Sequence, residues 1–388
     1  MMDDYPINIM FSLLRTILKD KKLNVQEKKI LGKEELQNIL EISKKHDLSH
    51  LVILGLKKNN ISCKDNEELN KIPMIAIYRY QNINFELKRV CDSLEKAKID
   101  FLPLKGSVIR KFYPQPWMRT SCDIDILVKE EELESAITYL SNELGYIKKQ
   151  KGDHDVTLAS KSGVYIELHF KLPEESLTKE SYKILDNVWN DVIKKDGYSH
   201  FFEMTDEMFY FHHIAHMAKH FEKGGCGIRP FIDLWILDNI KDINSLKREE
   251  LLKKGNLYTF LKRCQELSKV WFEGEKHTDL TLKMQDFIIS GGAYGNFENK
   301  IIAQQQKKGG KLNYILSKVF IPYDTISRHY PILKKYPVLT PFMHIRRWFK
   351  LIFKGVPEET KAEIEYSQNI LNYDAENMKY MLIKLGLR

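Results

Sequence analysis

Two aspartates, Asp123 and Asp125, alternate with isoleucines in the apolar run Asp123–Val128 (DIDILV). Successive side chains of a β-strand point to opposite faces, so both carboxylates are expected on one face and the isoleucines in a core. Two carboxylates a few ångströms apart repel each other unless a cation lies between them. Carboxylate oxygens suit Mg²⁺ and Mn²⁺, so the pair predicts a divalent-metal site.

A third acid, Glu167, lies in the alternating stretch YIELHF at residues 165–170. On a strand it would share a face with His169, while the apolar side chains of this stretch point to the other face. We predict that Glu167 completes a two-metal site with Asp123 and Asp125, or takes the proton of an attacking hydroxyl. These three acids are the predicted metal ligands and catalytic residues.

A phosphate-binding turn is predicted upstream, where Lys105-Gly106-Ser107 separates a strand at 100–104 from a short helix at 108–113. Glycine permits close approach of the backbone, and N–H groups at the start of a helix can hold a phosphate. Lys105 and Arg119 flank the acids and are predicted to neutralise phosphate charge. Ordinary salt bridges explain these two cations equally well.

The order of strand, Gly-Ser turn, helix, Asp-x-Asp strand and later isolated acid resembles the nucleotidyltransferase fold of the DNA polymerase β superfamily. More closely, LKG…YP…R…DIDILV…IELHF is similar to the bacterial family of uncharacterised nucleotidyltransferases, over about residues 100–240. The resemblance implies a Mg²⁺-dependent nucleotidyltransferase that transfers a nucleoside monophosphate from a nucleoside triphosphate to an acceptor hydroxyl or phosphate, releasing pyrophosphate. It also implies that Gly106 and Ser107 hold the β and γ phosphates, although the spacer at 108–122 is longer than the superfamily's commonest pattern.

Histidines recur downstream in a predicted helix that begins at Thr205, a residue suited to the N-cap and followed by two acids. His212, His216 and His220 are spaced by four and so share one helix face. A row of that length exceeds what a single ion can bridge, which disfavours a zinc site. We predict that His216 and His220 line the substrate cleft, with structural roles in the core as the alternative.

Arg229 and Asp233 follow a glycine-rich turn and lie four residues apart on the next predicted helix. They are expected to pair with each other or to converge on a ligand. The family resemblance includes a histidine-bearing helix followed by Arg-x-x-x-Asp, which favours their placement at the cleft.

The surrounding pattern predicts an α+β protein with a small mixed sheet, flanked by an N-terminal and a large C-terminal all-helical segment. Apolar spacing predicts helices over 7–20, 33–58, 73–97 and 181–193 and from 205 to the end, and alternation predicts strands near 146–149, 155–159 and 165–170. The domains expected from this pattern are 1–98, 99–200 and 201–388.

Composition limits the function classes. The 388 residues are 43% hydrophobic and 29% charged, which is typical of a globular protein, and a net charge of +8 favours anionic partners such as a triphosphate. Five cysteines without a CxxC pair favour a reducing compartment. Asp3 and Asp4 replace the basic start of a signal peptide, and no apolar run reaches about 20 residues, so we expect a cytoplasmic protein without stable membrane insertion.

Several alternatives stay open. The acceptor is a small molecule, a sugar, a protein or an RNA, and the sequence does not determine the oligomeric state. A non-catalytic nucleotide sensor is a rival, although retention of three acids argues against it. A second rival is a nucleic-acid or membrane-surface interaction protein, since residues 344–354 (HIRRWFKLIFK) are basic and aromatic. For that segment, packing into a core with its cations reaching solvent is favoured.

Overall fold

The N-terminal segment is helical in the computed structural model, which describes residues 4–24, 32–61, 67–172, 178–241, 243–293, 295–370 and 372–387. Its helices are α1 (Asp4–Lys19), α2 (Lys33–Lys45), α3 (Ser49–Lys58) and α4 (Glu67–Lys96). The single helix predicted over 33–58 is therefore two helices, because Asp47 takes a left-handed backbone (φ 55°) between them. Pro73 lies inside α4 rather than at its start. Its missing N–H leaves the carbonyl of Leu69 without its helical hydrogen bond, and α4 continues past this point to Lys96.

Five strands form the central sheet, in the order β1-β2-β5-β4-β3. They are β1 (Phe101–Pro103), β2 (Asp123–Val128), β3 (Ile147–Lys151), β4 (Asp155–Ala159) and β5 (Tyr165–His169). Strands β2 and β5 run parallel, and the other neighbouring pairs are antiparallel. Two helices belong to this unit, the short α5 (Gly106–Ile109) after β1 and α6 (Leu133–Leu144) after β2. The predicted mixed sheet between helical segments is confirmed.

The sheet separates apolar and acidic side chains by strand alternation. Ile124 and Ile126 are fully buried in a core shared with α4 and α6. Leu127 points the other way and joins a larger core built by the N- and C-terminal helices. Asp123 and Asp125 are also on this second face, where the C-terminal helices cover the sheet.

The segment after β5 differs from the helix predicted over 181–193. Helix α7 (Lys179–Asp186) ends at Asn187, and Val192–Lys194 forms strand β6, which pairs with β7 (Phe202–Met204). The β-branched Val192 and Ile193 favour this pairing over continuation of the helix. The domain boundaries at 98/99 and 200/201 stay predictions.

Beyond Thr205 the described chain is helical to its end, as predicted. The helices are α8 (Asp206–Glu222), α9 (Arg229–Asp238), α10 (Ser245–Lys254), α11 (Tyr258–Glu273), α12 (Asp279–Gly291), α13 (Phe297–Lys307), α14 (Lys311–Val319), α15 (Tyr323–His329), α16 (Ile332–Lys335), α17 (Thr340–Lys354), α18 (Glu358–Asn369) and α19 (Asn372–Lys384). Within the described residues, no helix combines the length and apolar character that crossing a bilayer requires.

Candidate active site

Carboxylates meet at the paired strands β2 and β5. The register places Asp125 directly opposite Glu167, and neighbouring strands lie about 4.8 Å apart. Ligand atoms of Asp125, Glu167 and His169 all lie within 4.8 Å of one another, which makes this the one group of three or more metal-ligand side chains among the described residues. His169 was not predicted as a site residue. Its position on the same strand face as Glu167 was the sequence signal that could have identified it.

Asp123 precedes Asp125 by two residues on the same face of β2. Burial, reinforced by the negative charges of Asp125 and Glu167, raises the pKa of Asp123 to about 6. A carboxyl whose ionisation is opposed by its neighbours is one that a divalent cation would stabilise. The donor set of two carboxylates and one imidazole, from Asp125, Glu167 and His169, therefore fits Mg²⁺ or Mn²⁺. Asp123 is not a member of this group, so its predicted role as a metal ligand stays a prediction.

Asp125 is compensated differently from Asp123. Its Oδ1 accepts a hydrogen bond from Lys105 Nζ at 2.7 Å and lies 2.8 Å from His169 Nε2. Burial opposes the ionisation of Asp125, but the charge of Lys105 and the hydrogen bond from His169 outweigh it, so the pKa of Asp125 is lowered. The charge of Asp125 is thus neutralised by Lys105, and His169 provides a further polar partner.

The turn before α5 places Lys105 and Gly106 at the site but turns Ser107 away. Lys105 has φ 44° and ψ −120°, a conformation that non-glycine residues rarely adopt and that is found mainly at functional sites. The N–H of Ser107 donates to Leu104 O at 3.1 Å, and its buried hydroxyl has no hydrogen-bond partner. The proposed phosphate contact of Ser107 stays a prediction.

A cavity of about 210 Å³ opens beside the carboxylates. Its lining includes all the predicted site residues except Ser107 and Glu167, namely Lys105, Gly106, Arg119, Asp123, Asp125, His216, His220, Arg229 and Asp233. The volume is below the about 300–1,000 Å³ typical of ligand pockets, so it encloses only part of a nucleotide and acceptor. The predicted residues from the sheet and from the C-terminal helices therefore share one cleft.

Helix α8 forms the histidine wall of this cavity. Thr205 caps it by accepting the Met208 N–H, and the His216 and His220 Nε2 atoms lie 3.2 Å apart. Burial lowers the pKa of His212 to about 3 and also lowers the pKa of His216. The imidazoles of His212 and His216 are thus neutral near pH 7 and can donate and accept hydrogen bonds with a polar ligand.

Arg229 and Asp233 do not pair with each other, contrary to one of the two expectations. Arg119 Nε donates to both carboxylate oxygens of Asp233 at 2.8 and 3.0 Å, and Tyr113 OH donates to Oδ1 at 2.6 Å. Arg229 Nη1 instead donates to Asp47 Oδ2 at 3.0 Å. Chain separations of 114 and 182 residues hid these pairs from the sequence.

Asp47 brings the N-terminal segment to the edge of the site. It lies in the turn between α2 and α3, accepts a hydrogen bond from Thr120 Oγ1 at 2.9 Å, and binds Arg229. His50 of α3 reaches the same loop, with Nε2 2.9 Å from Met118 O. The N-terminal helices therefore position the loop that carries Arg119 and leads into β2.

One comparison with known proteins gives a match. A family model described as an uncharacterised nucleotidyltransferase matches residues 32–273, which reach from just before α2 to the last residue of α11. No curated protein and no solved structure matches the chain.

Proposed function

The chain belongs to the uncharacterised nucleotidyltransferase family, and from this premise we propose that it transfers a nucleoside monophosphate from a nucleoside triphosphate to an acceptor, with release of pyrophosphate. The acceptor oxygen attacks the α-phosphorus, and the bond from that phosphorus to the bridging oxygen of pyrophosphate breaks. The observation that carries the proposal is the convergence of Asp125, Glu167 and His169 on paired strands, where Asp125 and Asp123 line the cavity.

The charge balance supports a metal-dependent reaction. Three cations surround the cavity, and each is engaged by an acid: Lys105 by Asp125, Arg119 by Asp233 and Arg229 by Asp47. Asp123 and Glu167 add further negative charge to the same site. A triphosphate entering this cavity meets no surplus positive charge from these residues, so a divalent cation held by the acids would supply it.

We assign roles to the chain's own residues as follows. Asp123 and Asp125 would hold the Mg²⁺ or Mn²⁺ that accompanies the triphosphate, and that ion supplies charge neutralisation when bound. Glu167 helps to hold metal or accepts the acceptor's proton. Lys105 Nζ lies 2.7 Å from Asp125 Oδ1, so a metal held by Asp125 would compete with this contact and Lys105 would then be available to a phosphate oxygen. Gly106 lines the cavity next to Lys105, where its backbone is assigned to the phosphate side.

The histidine wall is assigned to the acceptor. His216 and His220 face the cavity from the helical side, away from the strands that carry the acids. The neutral imidazole of His216 donates and accepts hydrogen bonds, which suits an acceptor hydroxyl and also an acceptor phosphate. Small molecules, sugars, protein side chains and RNA ends carry such groups, so all four stay open as acceptors.

The proposal is tested by incubating the protein with each α-labelled nucleoside triphosphate, Mg²⁺ or Mn²⁺, and pools of candidate acceptors. Mass spectrometry should detect an acceptor heavier by one nucleoside monophosphate, together with pyrophosphate. The Asp123→Asn/Asp125→Asn double variant should release none. Metal-dependent triphosphate binding without label transfer to any acceptor pool would instead support the nucleotide sensor.

A further inference from the structure

Helix α17 carries an apolar face that nothing in the described chain covers. Phe342, Ile345, Phe349, Ile352 and Phe353 recur every three or four residues and are 64, 45, 56, 74 and 82% exposed. At 100° per residue they occupy one side of the helix. Val338, 79% exposed, continues the row towards the N-terminus. Single exposed apolar residues are common, whereas a contiguous strip of this kind marks an interaction surface.

The opposite side of α17 fixes the helix in place. Arg347 donates to Val319 O and Lys318 O at 3.0 Å each, and Trp348 Nε1 donates to Val319 O at 3.1 Å. The Trp348 ring also packs edge-on against Phe320, with ring centroids 5.2 Å apart. Because this side is anchored to α14, the apolar side is held outward. The sequence favoured packing of residues 344–354 into a core. In the structure, only the side of the helix that carries Arg347 and Trp348 packs against the protein.

Positive charge is concentrated around the exposed face. Residues 323–354, from the first residue of α15 to the last residue of α17, contain seven lysines and arginines and a single acid, Asp324, which gives them a net charge of +6. The whole chain has a net charge of +8, so most of its excess positive charge lies in this segment. Arg346 and Lys350 are exposed along one edge of the apolar strip, and Lys334 and Lys335 are exposed on neighbouring α16. The segment also lies beyond the family match, which ends at residue 273.

We propose that α17 docks on an anionic lipid surface, lying in the plane of the interface with its apolar face among the acyl chains. Interfacial helices combine one apolar face of aromatic and aliphatic residues with flanking lysines and arginines. Such a helix sinks about 5–10 Å into the headgroup boundary, while flanking cations stay with lipid phosphates. The proposal does not depend on the nucleotidyl transfer reaction.

Two other occupants fit the observations less well. A nucleic acid would use the cations but would leave aliphatic Ile345 and Ile352 and the phenylalanine row against a charged backbone. A second copy of the chain would bring the exposed Arg346 and Lys350 of both copies to one symmetric interface, and like charges oppose that contact. An anionic bilayer offers acyl chains to the apolar strip and lipid phosphates to the flanking cations.

The test measures co-sedimentation of the full chain with vesicles of phosphatidylcholine alone or with about one-third phosphatidylglycerol. We expect binding to the anionic vesicles that weakens with salt. Phe349→Glu/Phe353→Glu should weaken it at least about tenfold, because two exposed anchors become charged. Phe85→Glu is the matched control, since Phe85 on α4 is 61% exposed, and it should bind as the parent does.

The charge contribution is measured with Arg346→Gln/Lys350→Gln, which should weaken binding to anionic vesicles by about fivefold for each cation removed. All substituted side chains are exposed, so circular dichroism and the melting temperature should be unchanged. Absence of binding to anionic vesicles overturns the proposal, as does binding that is indifferent to the phenylalanine changes. RNA binding with this phenylalanine dependence, or a dimer that the Phe349→Glu/Phe353→Glu change dissociates, in either case without vesicle binding, would assign the face to that occupant instead.

Discussion

Two aspartates, Asp233 and Asp123, line the same cavity, and the protein treats their charges in opposite ways. Asp233 on α9 is 2% exposed and has Arg119 on both oxygens and Tyr113 on one. Despite its burial, these partners hold its pKa below the usual range. On β2, burial and two neighbouring acids raise the pKa of Asp123 to about 6. The charge of Asp233 is thus neutralised within the fold, whereas the charge of Asp123 would be stabilised by an added cation.

The comparison implies that Asp233 is structural, which Asp233→Asn should show. The change leaves Arg119 buried without its countercharge, and breaking a buried ion pair by removing one partner costs about 3–5 kcal/mol. Chemical denaturation should report a loss of that size. Replacing both partners, as Asp233→Leu/Arg119→Met, should cost less than the single change. A single variant as stable as the parent would contradict this account of Asp233.

Glu167 lies opposite Asp125 in the register of β2 and β5 and should behave as a catalytic residue. Glu167→Gln keeps the size of the side chain and removes its charge and basicity, so triphosphate binding should stay within a few-fold. Transfer should fall by about 10²-fold or more, the usual scale for losing a general base. Single-turnover transfer and equilibrium binding would separate the two effects. Glu134→Gln, at an acid on α6 that is 69% exposed, is the control expected to leave both unchanged. Equal transfer rates for Glu167→Gln and the parent would mean that another acid is catalytic.

The ionised carboxylate of Asp123 should lower the free energy of unfolding near neutral pH when no metal is added. Its folded pKa of about 6 lies above the unfolded value of 3.8, so folding favours the protonated form. Its contribution is therefore fully present below about pH 4 and is lost as the pH rises through about 6. In chelator-treated buffer, Asp123→Asn should be more stable than the parent at pH 7, by about 2–3 kcal/mol. The gain should vanish near pH 4 and shrink when Mg²⁺ is added to both proteins. A stability difference that does not change with pH would show that Asp123 is already compensated.

The sequence predicted the acids but not their partners, and the reason is chain separation. Strand alternation placed Asp123, Asp125 and Glu167 because the period of two is a local property. The Arg119–Asp233 and Arg229–Asp47 pairs join residues 114 and 182 positions apart, and a single sequence carries no signal for such contacts. The helix predicted over 181–193 was wrong in its second half because pairing of Val192–Lys194 with Phe202–Met204 overrides local spacing. Local patterns thus located the chemistry, while tertiary contacts determined which charges are compensated.

His216 gives the smallest expected effect and extends the comparison to the helical wall. It lines the cavity from α8, and burial keeps its imidazole neutral, so it contributes hydrogen bonds rather than charge. A single neutral hydrogen bond contributes about 0.5–1.5 kcal/mol, which corresponds to a few-fold change in affinity. His216→Ala should therefore raise the acceptor KM a few-fold and leave triphosphate affinity unchanged, as measured by steady-state kinetics with each substrate varied. The exposed His329 on α15 provides the control substitution, His329→Ala, which should change neither constant. An equal loss of affinity for both substrates would indicate that His216 contacts the triphosphate. Unchanged kinetics with a lowered melting temperature would indicate that His216 has a structural role only.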